Sequence, residues 1–104
     1  MKHTNEQIML GVKTIRTLRS AVYNKTNESA TSIIKRMRPK YYMLWSILLR
    51  RLGILRVNES GFGFDKEYWN QPRKETDYDL CIRILNEYDN YLESLNKKNI
   101  KEKK

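Results

Sequence analysis

A mainly α fold carrying one small β-hairpin is the class this sequence predicts, and three observations predict it. Apolar residues recur every three or four positions over several stretches, both prolines fall between those stretches, and residues 54–64 alternate about a turn. At 104 residues the chain makes about one small domain, long enough to bury a core without metals or disulfides.

Thr4 and Gln7 stand in a capping-box arrangement, and Ile8, Val12, Ile15, Leu18 and Val22 follow at helical spacing, so a first helix is predicted over residues 5–23. Its other face carries Lys13, Arg16 and Arg19 and is expected to stay wet. A short polar loop, 24–28, leads to Ser29, whose hydroxyl suits the free amides that open a helix. Ile33, Ile34 and Met37 then place a second helix over residues 30–38. Pro39 disfavours the α region for Arg38 and has no amide to donate, yet its fixed φ suits the start of another helix.

The segment from Tyr41 to Leu52 lacks proline and glycine, and helical rotation collects Tyr41, Leu44, Trp45, Leu48, Leu49 and Leu52 on one side. Lys40, Tyr42, Met43, Ser46 and Arg50 face the other way. Gly53 is suited to the left-handed conformation that ends a helix. A strand over Ile54, Leu55, Arg56 and Val57, a turn over Asn58, Glu59, Ser60 and Gly61, and a returning strand Phe62-Gly63-Phe64 complete a hairpin with both rings on one face.

This order, with Leu49-Arg50-Arg51-Leu52-Gly53-Ile54-Leu55 as its most specific piece, resembles the winged helix-turn-helix superfamily over residues 30–64. The resemblance implies a winged helix-turn-helix with an N-terminal helix and a long C-terminal helix, its hairpin serving as the wing. It also implies duplex DNA as the partner. By that resemblance Lys40, Tyr42, Met43 and Ser46, with Arg50 further along, meet base edges, while Arg56 in the wing and Arg36 and Arg38 before the turn meet phosphate.

Residues 65–74 show no period and read as a connecting loop, with Tyr68 and Trp69 anchoring it in the core. Thr76 and Asp79 mark the start of a last helix of about 20 residues, with acidic side chains at its positive end and Lys97 and Lys98 at its negative end. Tyr78, Cys81, Leu85, Tyr88, Leu92 and Leu95 alternate steps of three and four along it, as a coiled-coil seam does. The seam's partner is either the first helix or the same helix of a second chain. The helix is long enough to extend past a 75-residue domain, which favours a homodimer with Cys81, Leu85, Tyr88, Leu92 and Leu95 at its interface. The expected organisation is a domain over 1–75, a dimerising helix over 76–96 and a frayed lysine-rich tail over 97–104.

Charge is distributed unevenly. Residues 1–57 hold 12 basic and 2 acidic residues, a net of +10, against 9 basic and 10 acidic in residues 58–104, a net of −1. Lys35, Arg36, Arg38, Lys40, Arg50, Arg51 and Arg56 cluster around the turn-and-hairpin segment, where they would attract phosphate by releasing counterions. One cysteine permits no internal disulfide and fits a reducing cytoplasm, and no apolar run suits a signal peptide or a membrane span. The Asn-x-Ser/Thr triplets at Asn24, Asn27 and Asn58 are then incidental. A single histidine, His3, leaves no His-based triad and no His/Cys metal site, and nucleotide-loop glycine patterns are missing. An enzyme is therefore not expected, nor is a cofactor.

The function expected is a small regulator of transcription from a bacterium, phage or mobile element. The alternative is a winged-helix scaffold used as a protein-interaction module, such as a phage-encoded inhibitor or a virion component. It is favoured by Tyr42, Met43 and Ile47 on the reading face and by the lack there of Asn, Gln or several Arg.

Overall fold

The computed structural model describes residues 3–59, 61–72 and 74–102, with side chains as far as Asn96. Helix α1 (Asn5–Tyr23) opens with the capping box intact: the Gln7 amide donates to Thr4 Oγ1 at 3.2 Å, and the Thr4 amide donates to Gln7 Oε1 at 3.1 Å. Ile8, Val12, Ile15 and Leu18 are buried, each contributing about 1.5–3 kcal/mol, so packing outweighs the cap.

Helix α2 (Ala30–Met37) starts on Ser29, whose hydroxyl accepts from the Ser32 amide, and stops at Arg38 in the left-handed region, φ 51°. Tyr41 takes the same conformation, φ 64°, immediately before α3 (Tyr42–Arg51). Two non-glycine residues in that region cost about 1–2 kcal/mol each, which the surrounding packing must offset. Trp45 does much of this: fully buried, it donates its indole N–H to Lys40 O at 2.8 Å and ties the turn to the helix. At the far end the Gly53 amide reaches Arg50 O and the Ile54 amide reaches Leu49 O, a paired closure in which Gly53 supplies φ 79°.

Strands β1 (Leu55–Asn58) and β2 (Gly61–Phe64) pair antiparallel, Leu55 opposite Phe64 and Val57 opposite Phe62. Those four side chains share one face, and the Phe62 and Phe64 rings pack on the core. Ser60 of the expected turn lies outside the described residues, as does Arg73 of the next segment.

That next segment corrects an expectation. Residues 66–70 form a short helix, α4 (Lys66–Asn70), capped by Asp65, whose carboxylate accepts from the Tyr68 amide. Trp69 anchors it by donating to Ile54 O at 3.0 Å and by an edge-on contact with Phe64.

The last helix, α5 (Asp77–Glu102), begins where Thr76 accepts from the Asp79 amide and continues past Asn96 in the described backbone. The Lys97 and Lys98 side chains and residues 103–104 of the lysine-rich tail lie outside the described portion. The middle of the seam expected to face a second chain is closed by the same chain instead. Cys81, Leu85 and Tyr88 are buried in one core with α1, together with Leu80 and Ile84, while Tyr78 and Leu95 are exposed. Gly11 permits this approach, since a Cβ there would lie 2.5 Å from Cys81 Sγ. The boundary expected at residue 75 thus does not divide the core. A radius of gyration of 14.7 Å exceeds the about 13 Å usual for this length, as a 26-residue helix of about 39 Å requires. Among the described residues no helix is long and apolar enough to cross a membrane.

Candidate nucleic-acid interface

Helical geometry puts Met43, Ser46, Ile47 and Arg50 on one face of α3, turned away from buried Trp45, Leu48 and Leu49. Met43 is 80% exposed and Ile47 47%, and one helical turn apart they make a contiguous apolar strip on this face. Lys35 of α2, Arg38 just past its end, Tyr42, Met43 and Ser46 of α3, and Phe62 of β2 line one open groove of about 420 Å³. Five of the nine residues assigned to DNA from sequence are therefore gathered at one place. On the other side of Ile47, Leu44, Leu48, Arg51 and Tyr91 form a narrow apolar slot, with the Arg51 guanidinium 5.4 Å from the centre of the Tyr91 ring. The exposed face of α3 is thus an apolar ridge with cations on both flanks.

Four assigned residues lie elsewhere. Arg50 extends the α3 face and Arg56 is exposed on the side of the hairpin opposite Leu55 and Phe62; neither lines the groove. Arg36 is held by both Glu28 oxygens, Nε at 3.0 Å and Nη2 at 2.9 Å, and the hydrogen bond from Arg36 holds the Glu28 carboxyl below its ordinary range. It is not a free cation. Lys40 also departs from the expected reading face: its ammonium lies 3.1 Å from His3 Nδ1 and over the Tyr41 ring. Among the described residues Lys35, Arg38, Arg50 and Arg56 take part in no ion pair.

The charges behind this face are interlocked. His3 Nε2 lies 2.8 Å from Asp89 Oδ2, and the Tyr41 hydroxyl donates to Asp89 Oδ1 at 2.9 Å. An ammonium only donates, so Nδ1 of His3 accepts from Lys40 and Nε2–H donates to Asp89. Burial, and then the Asp89 carboxylate, push the Tyr41 phenol above its ordinary value. The Asp77 side chain is 6% exposed; its carboxylate accepts from Arg19 at 2.9 Å, with Arg16 at 3.8 Å, and the Arg19 guanidinium sits over Trp69. Arg19, expected on the wet face of α1, is instead a bridge between α1 and α5. Burial alone raises the Cys81 thiol to about 11 and raises the Tyr88 phenol further.

Sequence reasoning missed the α1–α5 polar contacts and the part Phe62 plays in the groove. The alternation of Phe62 and Phe64 carried the only signal for the latter. No protein-family model, curated protein or solved structure matches the chain.

Proposed function

We propose that this is a small DNA-binding protein of winged helix-turn-helix type that lays α3 in the major groove and sets its hairpin against the adjoining backbone. The observation that carries the reading is the ridge of Met43 and Ile47 on α3, with Lys35, Arg38 and Arg50 beside it and in no ion pair among the described residues. An α-helix about 10–12 Å across fits a groove about 12 Å wide, which brings the ridge to base edges and the flanking cations to phosphates. Arg56 supplies a further phosphate contact from the wing. A cytoplasmic regulator of transcription, from a bacterium, phage or mobile element, is the role these parts serve. Two chains pair, on this reading, through Leu92 and Leu95, the part of the α5 seam left outside the core.

A second reading is favoured by the exposure of Met43, Ile47 and Val57, which suits a protein partner as well as thymine methyls. Binding to random duplexes across a salt series separates the two. Affinity that falls steeply with salt supports DNA, and absence of binding at about 50 mM salt supports a protein-interaction module.

A further inference from the structure

We infer that α3 reads thymine through its C5-methyl group, with Met43 and Ile47 as the specificity-determining residues; this inference rests on the DNA-binding reading above. The reasoning starts from what α3 presents. Its exposed face carries two large apolar side chains, Met43 and Ile47, one small hydroxyl, Ser46, and no amide or carboxylate, with its arginine a full turn beyond Ser46.

Each base pair shows a distinct pattern in the major groove. Guanine calls for a bidentate cation and adenine for a bidentate amide, whereas thymine alone among the four bases carries an apolar group there. Setting Met43 and Ile47 against guanine or cytosine would strip water from base-edge donors and acceptors without replacing their hydrogen bonds. Against thymine methyls the same side chains bury apolar surface on both partners. Lys35 and Arg38, across the groove from the ridge, are placed for phosphates and do not supply the missing base contacts. The preferred duplex is therefore rich in A·T pairs where α3 sits, and the preference comes from the methyl group and not from the shape of the minor groove.

The test uses the full chain and four duplexes of about two helical turns: alternating A·T, the same with deoxyuridine for thymidine, alternating G·C, and the same with 5-methylcytosine for cytosine. Exchanging thymidine for deoxyuridine removes the methyl alone, and methylating cytosine places one at the same position. Affinity should fall about fourfold for each thymine contacted when its methyl is removed, and rise on methylation of the G·C duplex. Met43→Ala and Ile47→Ala, both at exposed positions, should erase the difference between thymidine and deoxyuridine while retaining the salt dependence. Met43→Gln should restore discrimination without the methyl, since an amide reaches adenine N6 and N7. Salt-dependent binding that ignores the methyl in both pairs of duplexes overturns this inference and leaves DNA binding standing. Absence of binding to all four at low salt overturns both.

Discussion

Two faces of this molecule treat charge in opposite ways. Where α1 and the residues before it meet α5, the carboxylates are matched: Asp77 accepts from Arg19, and Asp89 accepts from His3 and Tyr41. Where α2, α3 and the hairpin meet solvent, Lys35, Arg38, Arg50 and Arg56 stand without carboxylates among the described residues, near exposed Met43 and Ile47. Matched charges hold helices in register and unmatched ones are left for a partner, so the difference divides the residues that build the fold from those that serve it.

The largest effect expected from that division is on stability. Asp77→Asn leaves the partly buried Arg19 guanidinium without its carboxylate and should cost about 2–3 kcal/mol, read as a melting temperature lower by about 10–15 °C. Arg50→Ala, on the other face, should change stability by no more than about 0.5 kcal/mol. Equal losses from the two substitutions, in thermal melts followed by circular dichroism, would erase the contrast.

Alkaline pH should act on the same interior. Cys81 and Tyr88 are neutral when protonated, and burial raises both, Cys81 from 9.0 to about 11. The folded chain then binds these protons more tightly than the unfolded chain. Their contribution is complete below the unfolded values and is lost as pH rises through the folded ones. Stability should fall by about 2–3 kcal/mol from Cys81 alone between about pH 9 and pH 11, measured as the urea midpoint from tryptophan fluorescence, and Cys81→Ala should flatten that fall.

A smaller effect is expected at the margin between the faces. Glu28 occupies Arg36, so Glu28→Gln removes one negative charge and releases one cation beside α2. Duplex affinity at low salt should rise a few-fold, with the salt slope steeper by about one. Unchanged affinity in a binding titration would mean that Arg36 does not reach the nucleic acid even when freed.

Much of the fold was legible because its signals are local. The Thr4–Gln7 capping box, the Ser29 cap and the Gly53 closure each act within a few residues, and each lies where its sequence signature falls. Helix α4 escaped because five residues hold no period; Asp65, its cap, was the only mark it left. The α5 seam was visible but its partner was not. Counting Leu80 and Ile84 with Cys81, Leu85 and Tyr88 gives a stripe wider than a two-position seam, which is what a helix facing a core requires. The polar contacts were hidden for a different reason: His3 and Asp89 are 86 positions apart, Arg19 and Asp77 58, and no local pattern encodes such pairs. At the candidate interface, sequence grouped nine residues by type. Packing separated Arg36 and Lys40, which have partners within the chain, from Lys35, Arg38, Arg50 and Arg56, which have no carboxylate partner among the described residues.

The most direct test of the central claim is the dependence of duplex binding on salt, compared between Arg50→Ala and Lys40→Ala. With Lys35, Arg38, Arg50 and Arg56 on phosphates, log affinity should fall with log salt at a slope of about −3 to −4. Arg50→Ala should make that slope shallower by about one, and Lys40→Ala should leave it unchanged. A slope that responds to Lys40 and ignores Arg50, or no binding to duplex DNA at low salt, would contradict the account.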